Sequence, residues 1–160
     1  MPLTNRRRNM IFLTIMLSCI LTSMLSTALT TALPPIIAEF DVSAAVGQWL
    51  TSGYSLVMGI LVLATAYLTA RVPTKKLYLS ALIVFTVGIG MDAVAPNFSV
   101  LMAGRILQAA GNGILLSLAQ VILLTIYPVD RRGSIMGIYG LAVSAAPIVA
   151  PTLTGLIVYV

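Results

Sequence analysis

The sequence predicts an all-α membrane protein of about five transmembrane helices, and two properties of the chain support this fold class. First, 59% of its 160 residues are hydrophobic and only 8% are charged, with a mean hydropathy of +1.06. A soluble domain carries about 25% charged residues, so this chain has too few for a surface that faces water. Second, its apolar residues form runs of about 20 or more, the helix length that crosses a bilayer.

Five apolar segments are separated by short breaks that contain proline or basic residues. The first segment ends before Pro34, the third before Pro96 and the fourth before Pro128. Because backbone groups must be hydrogen-bonded internally in lipid, each segment is predicted to be a helix. The predicted helices of this partial transmembrane bundle cover residues 10–33, 47–70, 77–95, 99–127 and 133–160.

The basic residues predict the orientation of the chain in the membrane. If five helices alternate in direction, the three basic clusters all lie on one side of the membrane. These clusters are Arg6–Arg8, then Arg71 with Lys75 and Lys76, then Arg131 with Arg132. The connections on the other side, around 35–45 and 96–97, contain no Lys or Arg. The positive-inside rule therefore places the N-terminus in the cytoplasm.

Composition also excludes several classes of function. The sequence has no His, its single Cys19 cannot form an internal disulfide, and its acids form no catalytic constellation. The acids are Glu39, Asp41, Asp92 and Asp130, of which Asp92 is expected near the outer end of a span. We expect no enzyme activity, metal or cofactor. The net charge of +5 lies in clusters that set topology, so we expect a lipid bilayer and not nucleic acid as the partner.

A polar stripe in the fourth helix is the most specific sign of function. Arg105 lies inside a long apolar run, and Gln108 and Asn112 follow at helical spacing. A cation at membrane depth costs at least about 2.5 kcal/mol, so it normally faces a protein interior or a water-filled cavity. The stripe therefore predicts a transport pathway.

Hydroxyl residues in the first two helices leave two alternatives open. Thr27 and Thr30 lie on one polar face of the first helix, and Thr51 and Ser55 on a face of the second. Such residues often hydrogen-bond to carbonyls of their own helix. Together with the stripe in the fourth helix, they could instead line a shared polar cavity.

Four stretches stand in order along the chain: MLSTALTTALPPI, AYLTARVPTKKLYL, RILQAAGNG and GIYGLAVSAAPIVAPTLTG. Together they resemble motifs of the major facilitator superfamily and, within it, of the drug:proton antiporters. The resemblance implies a fold of about 12 or 14 helices, built as two six-helix halves with substrate bound between them. It also implies export of small amphipathic compounds in exchange for protons, in a bacterial plasma membrane.

The first two stretches carry departures from the family pattern. In the first helix Thr27 matches, but Leu25 stands where the family often has its Asp and Thr30 where it has Asn. That Asp is a usual candidate for proton coupling. In the loop after the second helix Arg71 and Lys75 match, and the resemblance implies a cytoplasmic latch. Positive-inside anchoring accounts for these two residues about as well.

The last two stretches match more closely. In the fourth helix Arg105 and Gln108 match, and the resemblance implicates this Arg in proton movement. Since an Arg does not itself deprotonate, it would act on a nearby acid or on a water chain. The fifth helix is predicted to bend and to let another helix approach closely. Its motif residues are Gly137, Ala146, Pro147, Ala150, Pro151 and Gly155.

The chain is short for this family, which leads to three expectations. It corresponds to an incomplete N-terminal half, so the 160 residues alone are not expected to perform alternating access. Faces of the missing cavity would meet lipid or another chain, and Arg105 would lack its shielding. The alternative to a truncated efflux transporter is a small membrane interaction protein, or a split-transporter subunit whose partner supplies the remaining helices. Gly111/Gly113 and Gly137/Gly140 would then be its docking surfaces.

Overall fold

A computed structural model describes residues 4–159, with side-chain surroundings for residues 4–152. In this part of the chain the secondary structure is helical. The helices are α1 (Asn5–Thr31), α2 (Leu33–Glu39), α3 (Ala44–Gly47), α4 (Trp49–Arg71), α5 (Thr74–Ala93), α6 (Phe98–Ile126) and α7 (Val129–Tyr159). Five segments of the described residues are long and apolar enough to cross a membrane: α1, α3 with α4, α5, α6, and α7 as far as Thr152. The all-α fold class with five spans is confirmed.

The break after α1 contains two short helices where the sequence suggested a loop. Pro34 and Pro35 lie in the first turn of α2, where the fixed φ of proline suits a helix and its missing N–H is not needed. The hydroxyl of Ser43 then caps α3 by accepting from Val46 N at 3.3 Å. Gly47 lets α3 approach α2, because a Cβ there would lie 2.5 Å from Ile37 Cγ1.

Proline and asparagine residues fix the remaining helix ends. Val72 is extended before Pro73, which ends α4 and precedes α5. Asn97 accepts from Val100 N at 3.0 Å and so satisfies one free N–H at the start of α6. These caps explain why the spans begin and end close to the breaks in the apolar pattern.

Several basic residues that were predicted to lie before or between the spans belong to helices instead. Arg6–Arg8 belong to the first turns of α1, and Lys75 and Lys76 to the first turn of α5. Arg131 and Arg132 lie in the first turn of α7, which starts at Val129, directly after Pro128, and carries Asp130 in the same turn. A proline before the helix and an acid in its first turn both favour this earlier start.

The described chain forms two compact units. One contains α1 as far as Ala28 together with the chain from Leu118 onward, and the other contains residues 29–117. In the first unit Tyr127 is buried between side chains of α1. Its ring centroid lies 6.0 Å from that of Phe12 in an edge-to-face arrangement and 4.9 Å from the guanidinium carbon of Arg8. The second unit contains α4, α5 and the part of α6 that carries Arg105, Gln108 and Asn112.

Candidate functional site

The guanidinium group of Arg105 is the centre of the site. Arg105 lies in the third turn of α6 and is only 1% exposed. Its guanidinium carbon lies 4.2 Å from the ring centroid of Tyr54 on α4. Its Nε donates to the carbonyl oxygen of Leu50 at 3.4 Å, and its Nη1 donates to Gln108 Oε1 at 3.0 Å. Ring and carbonyl together replace part of the water that a buried cation loses.

Gln108 connects Arg105 to an acid on α5. It is 3% exposed, and its Nε2 donates to Asp92 Oδ2 at 2.5 Å. A guanidinium can only donate and a carboxylate can only accept, so the amide presents its oxygen to Arg105 and its nitrogen to Asp92. The result is a polarised chain, with a cation and an anion at the two ends of one neutral amide.

Asn112 lies one turn beyond Gln108 and extends the polar residues towards α4. Its Nδ2 donates to the hydroxyl of Tyr54 at 2.8 Å and contacts Met58 Sδ at 3.9 Å. Asn112 is 3% exposed, and its Oδ1 is buried without a hydrogen-bond partner among the described residues. Tyr54 therefore contacts both ends of the α6 stripe, with its ring on Arg105 and its hydroxyl on Asn112.

Glycines allow the three helices to come close enough for these contacts. A Cβ on Gly88 would lie 2.7 Å from the carbonyl oxygen of Gly104, and a Cβ on Gly104 would overlap the Asp92 carboxylate. A Cβ on Gly111 would lie 2.7 Å from the Ala81 carbonyl oxygen, and one on Gly113 would lie 2.7 Å from that of Met58. The prediction that Gly111 and Gly113 form a docking surface for a partner is therefore wrong, because α5 and α4 of the same unit already pack against them.

The expectation that Arg105 would lack shielding is also wrong. Residues 29–117 alone supply the ring of Tyr54, the Leu50 carbonyl and the Gln108 amide that surround it. That expectation took the cavity of a complete carrier as the only shelter, whereas α4 packs directly on the same face of α6.

Two residues of this site, Asp92 and Tyr54, were not predicted from the sequence. Asp92 was expected near the outer end of a span, and it does lie in the last turn of α5, but it turns towards α6. The signal was the connection of four residues, 94–97, between α5 and α6. So short a connection makes the two helices antiparallel neighbours, so the last turn of α5 lies beside the first turns of α6. Tyr54 had no such signal, because tyrosine is common in apolar spans.

Two of the hydroxyl residues form hydrogen bonds to carbonyls of their own helix, which was the first of the two alternatives for these residues. Thr27 donates to the Ser23 carbonyl at 3.0 Å, and Ser55 donates to the Thr51 carbonyl at 3.0 Å, each within its own helix. Thr27 is half-buried in the first unit, whereas Thr30 is exposed and belongs to the second.

The remaining predicted residues lie outside the polar chain. Arg71 is the last residue of α4, and its guanidinium carbon lies 4.4 Å from the ring centroid of Tyr67. Lys75 is exposed in the first turn of α5.

The motif residues of α7 belong to the first unit, where Ala146 and Ala150 are buried. Pro147 is half-buried, and Pro151 and Gly137 are exposed. Helix α7 continues through both prolines, and Gly155 lies outside the residues whose surroundings are described.

The sequence family described as the Major Facilitator Superfamily matches residues 12–160. The chain belongs to this superfamily of transporters. Among similar proteins, an uncharacterized MFS-type transporter of Bacillus subtilis, YcnB, is 46% identical over 123 residues, which cover 77% of this chain and 26% of the relative. Lincomycin resistance protein LmrB of Bacillus subtilis is 41% identical over 125 residues, covering 78% of this chain and 26% of that protein.

A solved structure shows the same fold. The crystal structure of a bacterial homolog to the human lysosomal transporter Spinster, inward-facing and unoccupied, superimposes with a TM-score of 0.86 at 23% sequence identity. The match covers 96% of this chain and 32% of that one. The present chain thus spans about a quarter of the length of the curated relatives it matches (26% for YcnB and for LmrB). This membership makes it an integral membrane protein.

Proposed function

We propose that this chain contributes five spans to a carrier that exports small amphipathic compounds in exchange for protons across a bacterial plasma membrane. The observation that carries the proposal is the chain of hydrogen bonds from Arg105 through Gln108 to Asp92, which joins two helices long and apolar enough to cross a membrane. Ionisable residues are expensive within a membrane and usually belong to a substrate or ion pathway. The name of the similar lincomycin resistance protein supports a drug-like substrate.

In this proposal Arg105, Gln108 and Asn112 form the polar pathway, with Thr27 and Thr30 on α1. Because Gln108 hydrogen-bonds to both charged groups, a change at one end of the chain would alter the hydrogen bond at the other. Alternating access is largely a rocking of one half of a carrier against the other, and a change of the net charge on this chain would favour one arrangement over the other.

The other motif residues would act around this pathway. Helix α7 would bend at Pro147 and Pro151, where Gly137, Ala146, Ala150 and Gly155 keep its surface small. Arg71 and Lys75 would latch the cytoplasmic side. In this proposal the N-terminus is cytoplasmic, because the positive-inside rule puts the basic clusters of the chain on that side.

The test uses a complete carrier that contains these 160 residues, expressed in bacterial cells loaded with ethidium, a lipophilic cation. Arg105→Ala and Arg105→Lys should both abolish efflux, since Lys keeps the charge but cannot donate to Leu50 and Gln108 in the same geometry. The matched control is Arg6→Ala, which removes an exposed arginine from the first turn of α1. Normal efflux with normal pH dependence in both Arg105 variants would contradict the role assigned to Arg105.

A further inference from the structure

Asp92 differs from every other acid of the chain. Glu39, Asp41 and Asp130 are exposed, whereas Asp92 is half-buried in the last turn of a spanning helix. Gln108 donates to its Oδ2 at 2.5 Å. The first helix carries Leu25 where the resemblance led us to look for an acid, so Asp92 is the carboxyl group linked to the Arg105 chain.

The second carboxylate oxygen of Asp92, Oδ1, differs from Oδ2 in its hydrogen bonding. Oδ1 is buried and has no hydrogen-bond partner among the described residues. It crowds the point where a Cβ on Gly104 would lie, and the Gly88 carbonyl oxygen is 2.9 Å from that same point. Gly88 precedes Asp92 by one helical turn. A side-chain O–H bonds readily to the carbonyl four residues earlier, as serine and threonine do in helices.

We propose that Asp92 is the proton-binding residue of this carrier, with its Oδ1 taking up the proton and the Gly88 carbonyl accepting the resulting hydrogen bond. The inference rests on the proposed function and deepens it by naming the coupling group. One proton adds to the carboxylate to give a carboxylic acid, and its release restores the carboxylate. Uptake removes the anion at one end of the chain, so the net charge of Arg105 and Asp92 together changes from zero to +1.

The charged and polar groups of the neighbouring helices are compatible with proton binding at Asp92. From α6 it faces Arg105 and Gln108, and from α4 the ring of Tyr54 lies against Arg105. The charged residues of α5 itself, Lys75 and Lys76, lie at its opposite end. If those lysines are cytoplasmic, Asp92 lies towards the outer surface, where an exporter driven by protons must collect them.

A labelling experiment tests proton binding without any variant. Dicyclohexylcarbodiimide is lipophilic and reacts with protonated carboxyl groups in apolar surroundings. The 160-residue chain in lipid nanodiscs is labelled across a pH series and the sites are mapped by mass spectrometry. Label on Asp92 that declines as the pH rises is the expected result. Label restricted to Glu39, Asp41 and Asp130, or label on Asp92 that does not change with pH, would overturn the proposal.

A transport experiment separates this proposal from the proposed function. A complete carrier containing these residues is reconstituted in liposomes, and ethidium transport is followed with and without an imposed pH gradient. Asp92→Asn should lose the response to the gradient while the carrier still binds ethidium, and the exposed Asp130→Asn serves as control. If the unsubstituted carrier responds and Asp92→Asn responds equally, the role of Asp92 is refuted while proton antiport stands. If the unsubstituted carrier does not respond, proton antiport fails, and the labelling result alone decides whether Asp92 binds a proton.

Discussion

The guanidinium group of Arg105 lies against the ring of Tyr54, 4.2 Å from its centroid, and this contact joins α6 to α4. The same tyrosine accepts a hydrogen bond from Asn112, two turns further along α6. A single side chain of α4 therefore holds both ends of the polar stripe. The ring and the hydroxyl can be removed separately, which gives the first prediction.

Tyr54→Phe should destabilise the chain slightly and Tyr54→Leu more strongly. Phe loses only the hydrogen bond to Asn112, a loss of about 1 kcal/mol. Leu also removes the aromatic face from a desolvated Arg105, which costs about 2 kcal/mol more. The measurement is thermal unfolding of the purified chain in detergent. Equal midpoints for the two variants would show that the ring contributes nothing to stability.

Gly111→Ala should destabilise the contact between α5 and α6. The new methyl group would lie 2.8 Å from Phe85 Cβ and 2.7 Å from the Ala81 carbonyl oxygen, so backbone would have to move. Such overpacking costs about 1–3 kcal/mol.

The matched control for that change is Gly59→Ala in α4, where a Cβ would meet nothing within 4 Å. There alanine should leave stability unchanged or raise it by up to about 1 kcal/mol, because it restricts the unfolded chain more than glycine does. Both variants are compared by unfolding in the same detergent. If the two substitutions had the same effect, the close approach of α5 at Gly111 would not matter for stability.

Gln108→Cys and Asn112→Cys test whether the polar stripe is reached by water in a working carrier. The parent protein is a complete carrier with Cys19, which is fully buried, replaced by Ser. Both positions are 3% exposed in the structure, so we expect slow alkylation by a charged maleimide at rest and faster alkylation during transport. The control is Ile106→Cys, which is 42% exposed on an apolar surface and should react only with a lipophilic maleimide. No reaction at 108 and 112 from either side of the membrane, with or without substrate, would exclude a water-filled pathway there.

Tyr127→Leu should lower the stability of the first unit, and Tyr127→Phe should have little effect. The ring contacts Phe12 and Arg8 of α1, and a phenylalanine keeps both contacts. Loss of the aromatic pair costs about 1 kcal/mol, with a similar amount for the cation. Unfolding midpoints of the two variants are compared with that of the unsubstituted chain. A large loss for Tyr127→Phe would mean that the hydroxyl, not the ring, is what α1 needs.

The sequence by itself determined the fold class and the number of spans. Hydropathy and proline positions are local properties, and a run of 20 apolar residues has few alternatives to a helix in lipid. It also identified Arg105, Gln108 and Asn112 as one stripe, because helical spacing alone puts them on one face. Helix ends were less well predicted, as the starts of α1 and α7 show, since basic residues continue a helix into the interface as readily as they end it.

Only the tertiary structure decided what the stripe contacts. Asp92 precedes Gln108 by 16 residues and Tyr54 precedes Asn112 by 58, and no periodicity within one helix can pair such positions. Their contacts depend on how closely α4 and α5 approach α6, which the glycines at 88, 104, 111 and 113 permit. The shielding of Arg105 was mispredicted for the same reason, because burial of a charge is a property of neighbouring helices and not of the helix that carries it.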